Sequence, residues 1–127
     1  MSDKQNNTSS QQTMQQKRAA QAWDVVNEVK KDYQPEYGTI IRGLPAMILR
    51  DGLGHTLAFL KSKKDKPAHQ TAYKHVSDWV MGYLMPDSKS NLDLLEDWLL
   101  KKSSSDYRRA TTEALAYTHW LKRFVEA

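Results

Sequence analysis

From Tyr107 to Phe124, Tyr107, Ala110, Ala114, Tyr117, Leu121 and Phe124 form a run of apolar positions always three or four residues apart. That spacing gathers them on one stripe of an α-helix and would scatter them over both faces of a strand. The same period returns at Ala19, Ala22, Trp23, Val26 and Val29, and at Ala72, Val76, Trp79, Val80 and Tyr83, while no convincing segment alternates with period two. The chain is therefore expected to be all-α, a compact single-domain bundle of about six helices.

Proline and glycine divide the pattern. A first helix is expected from Ser9 or Ser10 to about Tyr33, ended by Gln34-Pro35 because the residue before proline avoids the helical region. A second follows from about Pro35 to Arg50, with a kink at Pro45, where one backbone hydrogen bond is lost. Asp51-Gly52 is a stop signal, and a third helix should run from Leu53 to Lys63, with Gly54 and Ala58 as a small-residue face. After the charged loop 61–67 comes a fourth helix ending before Pro86. A brief fifth, capped by Ser90 or Asn91, turns Leu92, Leu95, Trp98 and Leu99 inward, and the sixth follows the turn Ser103 to Ser105. The polar stretch 1–13, MSDKQNNTSSQQT, is expected to be a disordered lead-in, leaving 14–127 as the helical domain.

At 127 residues one domain is expected, burying roughly two thirds of its unfolded surface. The absence of cysteine excludes disulfides, thiolate metal sites and cysteine nucleophiles, and agrees with a reducing compartment. No apolar run is long enough to cross a bilayer, and the first residues lack a secretory pattern, so the expected location is cytoplasmic, with no membrane partner. Net charge is +4, unevenly spread. Residues 14–64 hold nine Lys/Arg against five Asp/Glu, residues 65–100 three against six, and residues 101–127 six against three. If the two basic flanks pack side by side they make a positive surface suited to a polyanion.

Catalytic chemistry has little to work with. His55, His69, His75 and His119 form no i,i+4 pair and no HExxH, and no serine sits in a nucleophile elbow, so no metal, cofactor or enzyme activity is expected. His55 lies four residues beyond Asp51, where a local capping bond is the simpler reading than a general base. Gly52-Leu53-Gly54 lacks the preceding strand and the Lys-Ser/Thr of a phosphate loop, although free backbone N–H groups at that helix start would suit a phosphate.

Basic positions recur along the chain: Lys17, Arg18, Lys30, Lys31, Arg42, Arg50, Lys61, Lys63 and Lys64. On the last helix Arg108 and Lys122, like Arg109 and Arg123, are fourteen residues apart, which brings each pair within about 40° of one face, about 21 Å apart along the axis. Such a row would neutralise several phosphates in a salt-dependent, sequence-tolerant way. Most aromatic residues lie on core stripes, so backbone contact is expected more than base stacking. Tyr107 and Trp120, each beside a basic pair, are the exceptions.

Four blocks carry a family resemblance: Leu44-Pro45-Ala46-Met47-Ile48; Asp51-Gly52-Leu53-Gly54-His55-Thr56-Leu57-Ala58-Phe59-Leu60; Tyr107-Arg108-Arg109-Ala110-Thr111-Thr112-Glu113-Ala114-Leu115; and Trp120-Leu121-Lys122-Arg123-Phe124. From about residue 14 to 127 the chain resembles the small helical subunit of type III-B CRISPR effectors, the Cmr assemblies. The resemblance implies a non-catalytic subunit that stacks in several copies along a minor filament and lines the channel for target RNA. The backbone subunits opposite hold the guide RNA and cut, and the large subunit signals or cleaves DNA. By the same resemblance Arg18, Arg42, Arg50, Lys61, Lys63, Arg108, Lys122 and Arg123 occupy basic positions within or beside matching blocks, whereas Lys17 and Arg109 rest on this chain's own charge pattern. Asp51 stands where the family pattern leads one to expect asparagine, and the stretches 61–67 and 85–105 match least. A free-standing helical DNA-binding regulator is the alternative reading, though no short helix-turn-helix turn with base-reading residues is visible.

Overall fold

A computed structural model describes residues 12–87 and 92–127. Among the described residues there are five α-helices and no strand: α1 Met14–Asn27, α2 Gln34–Asp51, α3 Leu53–Ser62, α4 Pro67–Leu84 and α5 Ser104–Val125. The all-α expectation holds. The expected sixth helix is α5, while the expected fifth takes a different form. It is a π-helical turn, Leu94–Trp98, running into a 3-10 turn, Leu99–Lys101. Side chains of α4 satisfy its first backbone donors, Leu94 N–H donating to Ser77 Oγ at 3.0 Å and Leu95 N–H to Tyr73 Oη at 3.3 Å. Asp93 caps the turn, accepting from Glu96 N–H at 2.8 Å, whereas the expected caps Ser90 and Asn91 lie outside the described residues.

The first helix is shorter than its apolar period implied. Its expected start at Ser9 or Ser10 lies outside the described residues, and α1 begins at Met14 behind a capping box in which Thr13 and Gln16 satisfy each other's backbone donors. It ends at Asn27, six residues before Tyr33, because Asn27 Nδ2 donates to the Trp23 carbonyl at 2.8 Å and Glu28 N–H turns back to Val25 and Val26. A 3-10 turn, Lys31–Tyr33, then leads into α2. That helix runs unbroken through Pro45, which sits on its buried face.

Gly52 closes α2 and opens α3 with φ of 92°, a left-handed conformation that only glycine adopts at little cost. Gly54, two residues on, is in close contact with α5: its N–H donates to Tyr107 Oη at 2.7 Å, and a Cβ there would meet the same oxygen at 3.0 Å. Ala58, its expected partner in a small-residue face, is exposed instead. α1 and α2 pack along α5, α4 packs against α2 and α5, and α3 bridges α2 and α4. Tyr37, Ile41, Leu44, Leu53, Leu57, Leu60, Val80, Tyr117 and Leu121 fill the space between them. The inner side of α1 is Ala22 and Val25, followed by buried Val29 just beyond its end, so Trp23, expected in the core, is turned to the flank and stays 49% exposed.

One polar pair is built into this core. Tyr37 Oη and His75 Nδ1 share a hydrogen bond of 2.7 Å. Burial pushes the Tyr37 phenol well above its ordinary range and His75 down to about 4. A histidine with a depressed folded pKa binds its proton more readily when unfolded, so its contribution to stability is present above about 6.5 and is lost as pH falls toward about 4. We expect wild type to lose about 3 kcal/mol through this group across that window. Urea melts at the two ends should show a smaller loss for His75→Gln, and equal losses in both proteins would contradict the assignment.

Candidate nucleic-acid interface

α5 carries the candidate basic face. Ser103 Oγ caps it, accepting from Asp106 N–H at 3.2 Å, and Ala110, Ala114, Tyr117 and Leu121 turn one side into the core. At 100° per residue the opposite side must carry Arg108, Arg109, Thr112, His119 and Arg123, and all five are exposed. Arg108 and Arg123 stand about 22 Å apart along the axis at 1.5 Å per residue. Lys122 lies toward the flank and is half-buried.

One end of this face is anchored by a buried carboxylate. Glu113 is 2% exposed, yet it sits among the charged and polar residues of the last helix at the spacing of its apolar stripe. Arg18 of α1 donates to it twice, Nε to Oε2 at 2.6 Å and Nη2 to Oε1 at 2.8 Å, and Trp79 of α4 donates Nε1–H to Oε2 at 2.7 Å. The hydrogen bond from Arg18 to Glu113 raises the arginine pKa. Above the pair, Arg108, Arg109, Ser105 and Thr112 join Tyr83 around a shallow cleft of about 490 Å3 with Glu113 and Arg18 in its wall. Arg109 also reaches Asp106 at 3.4 Å.

The other expected cations are distributed unequally. Arg42 is exposed on α2, 3.4 Å from Thr39 Oγ1, in a cleft shared with Phe124 and Val125 near the far end of α5. Arg123 lines a second cleft there with Gln15, His119 and Trp120. Lys17 stands at the rim of an apolar cleft of about 480 Å3 between α1 and α4, lined by Met14, Val25, Trp79 and Tyr83. Arg50 is exposed but clasped by its neighbour Asp51 at 2.9 and 3.1 Å, which raises the arginine pKa and lowers that of the aspartate. Asp51 thus serves Arg50, where a bond with His55 was expected.

Lys61 and Lys63 are not brought to the α5 face. Lys61 lies about 10 Å along α3 from the Gly54 contact, and bonds Asp93 at 3.1 Å and Glu96 at 2.8 Å, with its Nζ 4.9 Å from the Tyr73 ring centre. Burial opposes the Lys61 charge, but the bonds to Glu96 and Asp93 outweigh it and raise its pKa. Burial likewise opposes the Asp93 charge, and the Glu96 N–H, the Tyr73 hydroxyl and Lys61 together hold its pKa down. Lys63 is exposed with its Nζ 5.3 Å from the Phe59 ring centre. The proposed phosphate nest at the start of α3 has lost one donor, since Gly54 N–H is occupied by Tyr107. Tyr107 is therefore a latch between α3 and α5.

Both the sequence and the fold have known counterparts. The family described as CRISPR-associated protein (Cas_Cmr5) matches residues 14–127. The chain belongs to the Cmr5 family. It is 31% identical over 110 residues to the CRISPR system Cmr subunit Cmr5 of Thermus thermophilus, spanning 86% of this chain and 90% of that protein. It is 32% identical over 103 residues to the Cmr subunit Cmr5 of Thermotoga maritima, spanning 80% and 74%. The crystal structure of a Cmr5 family protein from Thermus thermophilus superimposes with a TM-score of 0.77 at 27% identity, covering 91% of this chain and 96% of that one. The helical bundle described above is thus the Cmr5 fold.

Glu113 escaped the sequence reading, although a carboxylate at apolar-stripe spacing is the signal that would have found it. Its removal provides a test. Glu113→Gln leaves the largely covered Arg18 guanidinium without a counter-charge, and should cost about 3 kcal/mol in urea denaturation at neutral pH. Arg18→Met combined with Glu113→Gln should lose less than the sum of the single changes, and strict additivity would show that the pair is not coupled.

Proposed function

We propose that this chain is a non-catalytic structural subunit of a type III-B CRISPR RNA-guided effector complex in antiviral defence. It stacks with further copies of itself in the minor filament, beside the large subunit and the backbone subunits that hold the guide RNA. It works in the cytoplasm and needs no cofactor. Its task toward target RNA is to grip the backbone without reading sequence, since base pairing with the guide does the reading, a division of labour known from another RNA-guided system.

The observation that carries this reading is the outer face of α5 in a Cmr5 family member: five exposed polar or basic residues, with neither Arg108 nor Arg123 ion-paired among the described residues. Unpaired guanidiniums are ready phosphate ligands, and Arg108 to Arg123 spans several nucleotides of an extended strand. Arg109 and Arg42 extend the surface. Arg18, Arg50 and Lys61 have carboxylate partners, so their effect on RNA is secondary to their structural work.

A single copy makes few contacts, and avidity comes from several copies in line on one strand. Affinity purification from native cells should recover guide RNA and the larger Cmr subunits, whereas recovery with duplex DNA alone would support the regulator instead. In reconstituted complexes Arg108→Glu with Arg123→Glu should leave the helical circular dichroism intact and weaken retention of target RNA. The log–log salt slope should fall by about 0.7 for each phosphate that a copy no longer neutralises. Unchanged retention at physiological salt would remove α5 from the interface.

A further inference from the structure

At the far end of α5, Trp120 and Phe124 pack partly buried against the core and meet an exposed indole from α1. Trp23, 49% exposed on α1, meets the Phe124 ring edge-on with centroids 5.1 Å apart, and Phe124 stacks on Trp120 at 5.5 Å and 29°. This ridge lies between two clefts. Phe124 shares one of about 480 Å3 with Arg42, and Trp120 shares another of about 370 Å3 with Arg123. Neither Arg42 nor Arg123 is ion-paired among the described residues.

A half-exposed ring held by an aromatic neighbour offers apolar surface at low entropic cost. Flanking guanidiniums supply the charge that such a surface lacks. The carboxylates of Asp24, on the same helix, and Glu28, at its C-cap, follow Trp23 and are exposed, so a phosphate is disfavoured at the indole itself and favoured at the arginines. The pattern of cation, ring and cation fits the alternation of phosphate and base along a single strand.

We propose that Trp23, braced by Phe124 and Trp120, is a stacking platform for one unpaired nucleobase of single-stranded RNA, with Arg42 and Arg123 holding phosphates on either side. This rests on the RNA-binding reading above and adds a base contact to a grip otherwise confined to the backbone. Because every base has a π-face, the platform tolerates sequence while distinguishing a base-bearing strand from bare sugar-phosphate.

The test uses the full chain at low salt, titrated with a short oligouridylate and with an abasic oligomer of equal length, followed by fluorescence anisotropy. Trp23→Ala should weaken oligouridylate binding about fivefold or more and leave the abasic oligomer unchanged. Trp23→Phe, which keeps a ring against Phe124, should restore most of the affinity and guards against a folding defect in the alanine variant. Equal affinity of Trp23→Ala and wild type for oligouridylate, or equal weakening toward both oligomers, would overturn the platform. In that case Arg108→Glu still weakening both would leave the backbone grip standing. Loss of self-association by Trp23→Ala with RNA affinity unchanged would also overturn it, assigning the ridge to a second copy. Wild type binding oligouridylate no more tightly than the abasic oligomer would overturn the platform while leaving the backbone grip standing.

Discussion

A carboxylate with almost no exposed surface destabilises a fold unless donors meet its oxygens, and Glu113 is met by three hydrogen bonds from two other helices. The bidentate geometry of Arg18 fixes the rotation of α1 against α5, and the Trp79 N–H fixes α4 against both. Tyr117 stacks on Trp79 with centroids 5.1 Å apart, so the same indole also closes the apolar layer beneath. Removing a methyl group from a core loosens it locally, whereas removing this anion would strand a cation and an indole donor at a junction of three helices. The positions of Arg108 and Arg109 above that junction depend on it.

The candidate interface follows from division of labour among cations of one sign. Arg18, Arg50 and Lys61 each find a carboxylate close in sequence or space, and their charge is spent inside the molecule. Arg42, Arg108 and Arg123 find none among the described residues and project from α2 and α5 into solvent. The basic flanks of the chain do pack together, as α1 against α5, and the acidic middle supplies Asp93 and Glu96 to hold Lys61 away from that surface. An exposed cation without a partner retains its full attraction for a phosphate, which is why the proposed grip rests on these residues.

Much of this was legible in advance, and the failures are specific. The period of α5, the proline at the start of α2 and the glycine between α2 and α3 each identify an element through local sterics, and each stands where expected. Ends of elements were less legible: α1 stops at Asn27 because a side-chain amide competes for a backbone carbonyl, and the short π turn after Asp93 is seated on α4 by Ser77 and Tyr73, which accept from its first donors. Trp23 was placed in the core because aromatic residues at helical spacing usually belong there, yet Val25 fills that place.

By itself the sequence determined that the chain is helical, where most of its helices lie, which faces are apolar and which family it belongs to, because periodicity, turn residues and matching blocks act over a few residues at a time. Only the tertiary structure decided which arginines are spent on carboxylates and which remain open to solvent, that Glu113 joins three helices, and that Trp23 forms an exposed ridge with Phe124 and Trp120. Those outcomes depend on partners as far apart as 95 residues in the chain, brought together only when the helices pack.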